Sequence, residues 1–212
     1  MKFICIGRNY ADHAKELQND LPVEPVIFLK PSTALLGHGA ALCLPRYSQD
    51  VHHEIEIVLR IGKAARNVTE EEAWSFVDGI TIGLDFTARD VQNQLKAKGL
   101  PWEKAKAFDG SAAIGELLPI VEFPSDNGRF KDPLRFQLKR NGEIVQNGNT
   151  DLMIFSFPRL LAFASEIFTL ERGDMIFTGT PAGVGPVRPG DKLEGYLGTR
   201  RLLELKVGDR ET

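Results

Sequence analysis

His52-His53-Glu54-Ile55-Glu56-Ile57-Val58-Leu59 places acids and aliphatic residues in alternation before running into a wholly apolar end. A period of two marks a strand, because successive side chains leave opposite faces. On a strand over 52–61, Glu54 and Glu56 share one face, roughly 6–7 Å apart. Ile55, Ile57 and Leu59 line the other, buried face. Two carboxylates so close repel unless a cation or protons compensate them. Two readings stand open here: a solvated sheet edge, where such alternation is common, or a pair that shares a metal ion.

Working outward, short apolar runs punctuated by Gly and Pro predict further strands at 3–6, 26–29, 80–86, 134–140, 174–178, 192–196 and 202–207. Asn9 is placed to cap a helix from about Tyr10 to Leu17, with Asp12 in its first turn, and Pro22 and Pro25 lie beyond it. Thr87 and Asp90 open a second helix that should end at Gly99, before Pro101. Residues 153–167 have helical spacing of apolar positions, and 124–132 reads as a flexible loop. Many short strands and few helices predict one β-dominated α+β domain over 1–212, not a doubly wound sheet.

The chain has 212 residues, 42% hydrophobic, enough for a sizeable core. Its net charge of −3 comes with no cluster of Lys or Arg, which argues against a nucleic-acid groove or an anionic membrane patch. No run is long enough to span a bilayer, and the apolar start is too short for a signal peptide. Cys5 and Cys43 each sit in an apolar run and read as small buried hydrophobes. A cytoplasmic, reducing compartment is the expectation.

Asp85 ends the apolar run Ile80-Thr81-Ile82-Gly83-Leu84, where an unpaired carboxylate is costly. With Thr87 available as the cap, Asp85 shifts the balance toward a metal site shared with Glu54 and Glu56. Three carboxylates without a Cys or His pair at ligand spacing suit Mg²⁺, with Mn²⁺ or Ca²⁺ as substitutes, and disfavour zinc. His13 and Glu16, three apart on the first helix, read either as a general base with its orienting acid or as an inconsequential surface pair. Arg89, Gln92 and Lys96 lie at helical spacing after Asp85; Arg89 and Gln92 could face a metal, whereas Lys96 reads as solvated. Lys106, in Glu103-Lys104-Ala105-Lys106, reads by itself as a surface charge. Thr178-Gly179-Thr180-Pro181-Ala182-Gly183-Val184-Gly185 lacks a phosphate loop's Gly-Lys-Ser/Thr ending, but its backbone N–H groups could grip a carboxylate.

Several of these stretches resemble the fumarylacetoacetate hydrolase family, in particular its short acylpyruvate hydrolase-like branch. They are Gly7-Arg8-Asn9-Tyr10-Ala11-Asp12-His13, Phe28-Leu29-Lys30-Pro31-Ser32, His52 to Glu56, Asp85 to Gln92, Gly99-Leu100-Pro101-Trp102 and Thr178 to Pro181, in order over nearly the whole chain. The resemblance implies a mixed β-sandwich roll with peripheral helices, usually a homodimer, and a mobile segment within 1–25 that closes over the ligand. It implies Glu54, Glu56 and Asp85 as metal ligands and His13 with Glu16 as the water-activating pair. It also implies Lys106 polarising the reacting carbonyl and Arg8, Arg89, Gln92 and Thr180 as substrate contacts. Longer relatives carry a further acid ahead of the histidine; here Cys5-Ile6-Gly7 supplies none. The expected reaction is carbon–carbon hydrolysis of a 3-acylpyruvate, with His13 taking a proton from water and Lys106 facing the developing oxyanion. The same site would serve oxaloacetate decarboxylation or enol–keto tautomerisation, or isomerisation of dienoic diacids. A non-catalytic oxo-acid binder is the remaining alternative.

Overall fold

The computed structural model describes residues 1–211, and the Ile55–Ile61 strand lies at the centre of its largest sheet. That sheet runs Val26–Lys30, Phe3–Gly7, Met175–Phe177, Ile55–Ile61, Val77–Asp85 and Ala112–Ile114, with Leu118–Pro119 also paired to Val77–Asp85. Phe3–Gly7 and Met175–Phe177 are parallel; the other neighbours are antiparallel. A second sheet contains Glu143–Asn149, Arg135–Arg140, Lys192–Leu197, Arg200–Arg210 and Leu42–Leu44.

Alternation along Ile55–Ile61 sorts its side chains as read from the sequence. Ile55, Ile57 and Leu59 join Ile80, Ile82, Phe136, Leu138, Leu193 and Leu203 in the main core between the sheets. The sheets approach so closely at Gly195 that a Cβ there would lie 2.4 Å from Ile82 Cδ1. Val58, on the other face, packs with Phe3, Cys5, Ala112 and Phe177 in a smaller cluster. A solvated edge is therefore ruled out for Glu54 and Glu56: Glu56 lies in the central strand, Glu54 immediately precedes it, and both residues are buried.

The expected strand over 52–61 is interrupted. Val51–His53 belongs to a three-stranded sheet with Thr87–Ala88 and Gly185–Pro186, and Ile55–Ile61 belongs to the large one. Glu54 is the crossing point. The partner strand makes the same transfer alongside, ending at Asp85 and re-pairing at Thr87. A hydrogen bond from Asp85 N–H to the Glu54 carbonyl (2.9 Å) ties the two crossings together. Parallel crossings at one level bring side chains 31 positions apart in sequence into one place.

Two expected caps are corrected. The first helix, Ala11–Glu16, has Tyr10 at its N-cap with no side-chain bond. Asn9 is buried instead, donating to the Phe155 and Thr178 carbonyls and accepting from Phe155 N–H. Thr87 is likewise no cap: it lies in a short strand ahead of the Arg89–Ala97 helix, and its hydroxyl donates to the Asp85 carbonyl. The helix expected within 153–167 begins at Phe157, where the Ser156 hydroxyl accepts from Arg159 N–H. Residues 124–132 hold a small hairpin, Ser125–Asp126 against Arg129–Phe130. Within 1–25, Phe3–Gly7 is a core strand whose end, Ile6 and Gly7, lines the cleft described below together with Arg8, His13, Leu17 and Asn19. Cys5 is buried as expected, but Cys43 is exposed, because it points outward from a strand whose neighbours Leu42 and Leu44 face the core.

Candidate active site and metal centre

Glu54, Glu56 and Asp85 each offer an oxygen, and these oxygens lie within 4.8 Å of one another. Around an octahedral ion with ligands at about 2.1 Å, neighbouring oxygens are about 3 Å apart and opposite ones about 4 Å, so the triad matches a hard divalent cation. Its present charge balance supports the same fit. Lys106 Nζ bridges Glu54 Oε2 (2.7 Å) and Asp85 Oδ2 (2.6 Å), showing that this space accepts positive charge. Arg89 donates to Glu54 Oε1. Burial alone would raise Glu54, yet the Lys106 and Arg89 charges hold it well below the usual carboxylate range. Glu56 has no basic partner among the described residues; its Oε2 accepts only the Gly179 N–H (2.6 Å). Burial, followed by the charges of Asp85 and Glu54, pushes it well above that range. A buried acid left without a cation of its own, beside two paired acids, is the observation that a divalent ion would resolve.

The sequence reading left Lys106 as a surface charge except through resemblance; in the fold it is buried. Its short helix, Glu103–Lys106, packs it over the Phe28 ring and beside Thr87. Burial opposes its charge, but Asp85 and Glu54 keep its pKa above the ordinary lysine value. It therefore stays protonated and can stabilise negative charge.

His13 lies in the same cleft, buried, with Nδ1 3.3 Å from Glu16 Oε2. Burial lowers its pKa and outweighs the opposing pull of Glu54 and Glu16. The ring is neutral at pH 7, as a general base must be. Glu16 is anchored in turn by the Gly183 N–H, at 3.1 and 3.3 Å from its two oxygens. The glycine-rich turn does grip carboxylates, but they belong to the protein: Gly179 holds Glu56 and Gly183 holds Glu16. Gly179 has φ +104°, and a Cβ there would meet Asn9 Cβ at 2.6 Å, so no other residue fits.

The remaining expected residues also line the cleft, some with altered tasks. Arg89 sits on Glu54 and also donates to Gln92 Oε1 (2.5 Å), which leaves the Gln92 NH₂ as the group it can offer a ligand. Thr180 faces the cleft, but its hydroxyl is engaged: it donates to the Ile55 carbonyl (2.8 Å) and accepts from Gln146 Nε2 (2.9 Å). Arg8 is half-buried with φ 60°, an uncommon conformation for a side-chain-bearing residue and one that clusters at ligand clamps. Lys96 is not simply solvated: it is half-buried, lines the cleft and donates to Asn19 Oδ1 (2.7 Å).

Two contributors were missed. Lys30 is fully buried, with Nζ 2.7 Å from Asp85 Oδ1 and hydrogen bonds to the Ser111 carbonyl (2.9 Å), Ser111 Oγ (3.0 Å) and the Lys106 carbonyl. Its approach to Asp85 Oδ1 is off hydrogen-bond alignment, so that oxygen gains charge compensation but no bonded proton. Gln146 is the second. Its Oε1 accepts from Ile55 N–H (3.0 Å) and pairs with His53 Nδ1 (2.9 Å), while its amide holds Thr180 and the Pro181 carbonyl. It fixes the strand that starts next to Glu54 to the turn that holds Glu56.

Because Gln146 Oε1 also accepts from Ile55 N–H, His53 donates to it from Nδ1, and burial is what keeps the ring neutral. Burial lowers its pKa to about 4, with Arg140 and His52 pushing the same way and the Gln146 bond resisting. The unfolded chain titrates near 6.5 and so binds more protons than the native state between those values. Stability contributed by neutral His53 is present above about pH 6.5 and is lost as pH falls toward 4, by about 3 kcal/mol in total. Denaturant unfolding of wild type and His53→Gln across that range should show their stability difference shrinking by this amount. A constant difference would contradict the assignment.

The comparisons with known proteins follow the same lines. The family model for the C-terminal region of fumarylacetoacetate (FAA) hydrolase matches residues 2–207. Human oxaloacetate tautomerase FAHD1, mitochondrial, is 46% identical over 204 residues, covering 96% of this chain and 90% of the human protein. The crystal structure of fumarylpyruvate hydrolase from Pseudomonas aeruginosa, in complex with Mn²⁺ and pyruvate, is 38% identical with a TM-score of 0.87, covering 98% of this chain and 89% of that one. A 5-carboxymethyl-2-hydroxymuconate delta-isomerase from Mycobacterium smegmatis is 34% identical with a TM-score of 0.84, covering all of this chain and 80% of its own. The β-dominated fold and its curled sheets are shared with these structures.

Proposed function

Because the chain belongs to the fumarylacetoacetate hydrolase family, we propose that it is a divalent-cation-dependent enzyme that moves a proton on a small 2-oxo acid. Keto–enol interconversion of oxaloacetate is its first reaction in this reading. The observation that carries it is the neutral, buried His13, oriented by Glu16 in the cleft that holds the three carboxylates and Lys106. The 46% identity to a tautomerase supports the choice of substrate. Fold alone would not.

Glu54, Glu56 and Asp85 would hold the cation, Mg²⁺ in this proposal, with Mn²⁺ as a substitute; when bound it supplies Lewis-acid polarisation of a 2-oxo acid. His13 removes the proton from carbon 3 and returns it, or passes it to the oxygen. Glu16 keeps the ring oriented and favours its protonated form during transfer. Lys106 faces the charge that develops on the 2-oxygen, in a site where water is largely excluded. Arg89 and Gln92 orient the head of the substrate. Thr180 and Gln146 position the cleft wall. The solvent-reachable space among these groups is about 30 Å³, about two water molecules' worth, which supports a cleft wall that opens to admit substrate, the mobile segment within 1–25 being our choice.

Carbon–carbon hydrolysis of 3-acylpyruvates is the second reading, favoured by the 38% identical fumarylpyruvate hydrolase. It uses the same His13, which would take its proton from water. The free cysteines suit a reducing compartment, and the human relative is named as mitochondrial. No helix among the described residues is long and apolar enough to cross a membrane. A homodimer is the proposed assembly, on the strength of the family resemblance.

One comparison tests the proposal. The Mg²⁺-loaded protein is given the enol form of oxaloacetate, acetylpyruvate and fumarylpyruvate, and enol loss, carbon dioxide and acid product are assayed separately. Fast enol loss without carbon dioxide is expected, with an acid limb below the ordinary histidine pKa because burial lowers His13. Acid product without enol conversion would move the assignment to the hydrolase. No turnover of any of the three would overturn both.

A further inference from the structure

Next to the three carboxylates the large sheet has a gap. Met175–Phe177 pairs with Ile55–Ile61 only from Arg60 to Val58, and the chain then turns away through Thr178 to Pro181. Side chains carry the pairing on from there. The Thr178 hydroxyl donates to the Ile57 carbonyl (2.9 Å) and the Thr180 hydroxyl to the Ile55 carbonyl (2.8 Å). The open ladder frees the Gly179 N–H to reach the Glu56 carboxylate. It also strips the Ile55 N–H of a backbone acceptor in the interior, where an unpaired N–H is costly. The missing rung comes from the other sheet. In its edge strand Glu143–Asn149, Gln146 stands opposite Leu138 and Ile144 opposite Lys139, so Val145 is the extra residue of a β-bulge. Bulges re-aim the side chains beside them, and this one sends the buried Gln146 across to the gap. The turn is seated on the bulge: a Cβ on Gly183 would lie 2.4 Å from the Val145 carbonyl oxygen.

The Gln146 amide is used completely. The Ile55 N–H can only donate and the Pro181 carbonyl can only accept, so Oε1 faces the strand and Nε2 faces the turn. The second lone pair of Oε1 takes the His53 Nδ1 proton, and the second Nε2 hydrogen goes to Thr180 Oγ1. One side chain thus stands in for a peptide group between two segments that carry different parts of the site. The strand side bears Glu54 and Glu56, and the turn supplies the N–H groups that hold Glu56 and Glu16. We propose that Gln146 is the positioning residue that sets the spacing of Glu54 and Glu56, and so preorganises the cation site without touching the cation. This rests on the three carboxylates holding a divalent ion. It assigns part of that ion's affinity to a bulged edge strand of the opposite sheet.

The test is a Mn²⁺ titration followed by electron paramagnetic resonance, with melting temperatures taken on the same samples. Gln146→Met removes both halves of the amide and should bind Mn²⁺ about 10-fold more weakly than wild type. Gln146→Glu keeps the accepting half and loses the donating half, which separates position from charge. Added negative charge alone would tighten cation binding, whereas the lost tie to Thr180 and Pro181 weakens it, and weaker binding is expected. Leu161→Ala, in the main core on the Phe157–Ile167 helix, should lower stability yet leave Mn²⁺ affinity within about 2-fold of wild type. A readout on wild type alone does not depend on any variant folding: nitrogen-15 shifts of the Mg²⁺-loaded protein should place the His53 proton on Nδ1. Wild-type affinity in Gln146→Met, tighter binding by Gln146→Glu, equal weakening by Leu161→Ala, or a His53 proton on Nε2 would each overturn the positioning role and leave the cation reading intact. Failure of wild type to bind Mn²⁺ would overturn the cation reading, and the positioning role with it.

Discussion

Replacing His13 by Ala should lower turnover by about 1,000-fold while leaving divalent-cation affinity within about 2-fold of wild type. The asymmetry follows from placement. His13 lies in the cleft with the three carboxylates, and its ring contact is Glu16, which the Gly183 N–H holds on the far side. Its loss takes away the base without touching the cation's ligands. The Arg89 and Lys106 contacts to Glu54 remain, so the acid stays ionised. Steady-state rates with enol-oxaloacetate and with fumarylpyruvate, together with a Mn²⁺ titration, read the two effects separately. A variant that keeps its rate would remove His13 from the mechanism. One that loses metal affinity in proportion to rate would make the residue structural.

Lys30→Met should cost about 3–5 kcal/mol of stability, the usual penalty for removing one member of a buried charge pair. For a chain of this length that lowers the melting temperature by roughly 10 °C. Lys30 is fully buried; it neutralises Asp85 and joins three backbone segments through the Phe86, Lys106 and Ser111 carbonyls. Methionine matches its length but removes the ammonium bonds to those carbonyls, leaving those of Ser111 and Lys106 with only their Phe86 N–H and Ser111 hydroxyl donors and Asp85 dependent on Lys106 alone. Thermal and denaturant unfolding measure the effect. A loss under about 1 kcal/mol would show that Asp85 does not need this cation.

Both variants bear on how much of the molecule the sequence disclosed. The alternation of Glu54 with Ile55 placed the acids opposite the core, because the period of a strand is a local property. Asp85 was legible for a related reason: a carboxylate closing an apolar run is costly unless something meets it. Lys30 and Gln146 were not legible, since what makes them important comes from segments far away. Lys30 lies within a stretch that carries the family resemblance, yet a lysine ending a short apolar strand looks like an exposed terminus until Asp85 and Ser111 fold over it. Gln146 sits in Glu-Ile-Val-Gln-Asn-Gly-Asn, too polar to read as a strand, and becomes one by pairing with Arg135–Arg140. The errors at Asn9 and Thr87 have the same origin: both have the right chemistry for a cap, and tertiary partners outcompeted the local helix ends.

His13, Glu16 and Lys106 were ambiguous by spacing alone and owed their assignment to resemblance. The fold supplies the missing physical reason, which is burial: a helix-surface pair would be solvated, and a surface lysine would not sit between two carboxylates.

Everything proposed here depends on Glu54, Glu56 and Asp85 holding one divalent cation. Titrating the protein with Mn²⁺ and following the free ion by electron paramagnetic resonance measures that directly, in wild type and in Asp85→Asn. The account predicts one ion per chain in wild type and at least a 100-fold weaker affinity, by order of magnitude, in the variant. Failure of wild type to bind an ion, or equal affinity in the two proteins, would contradict it.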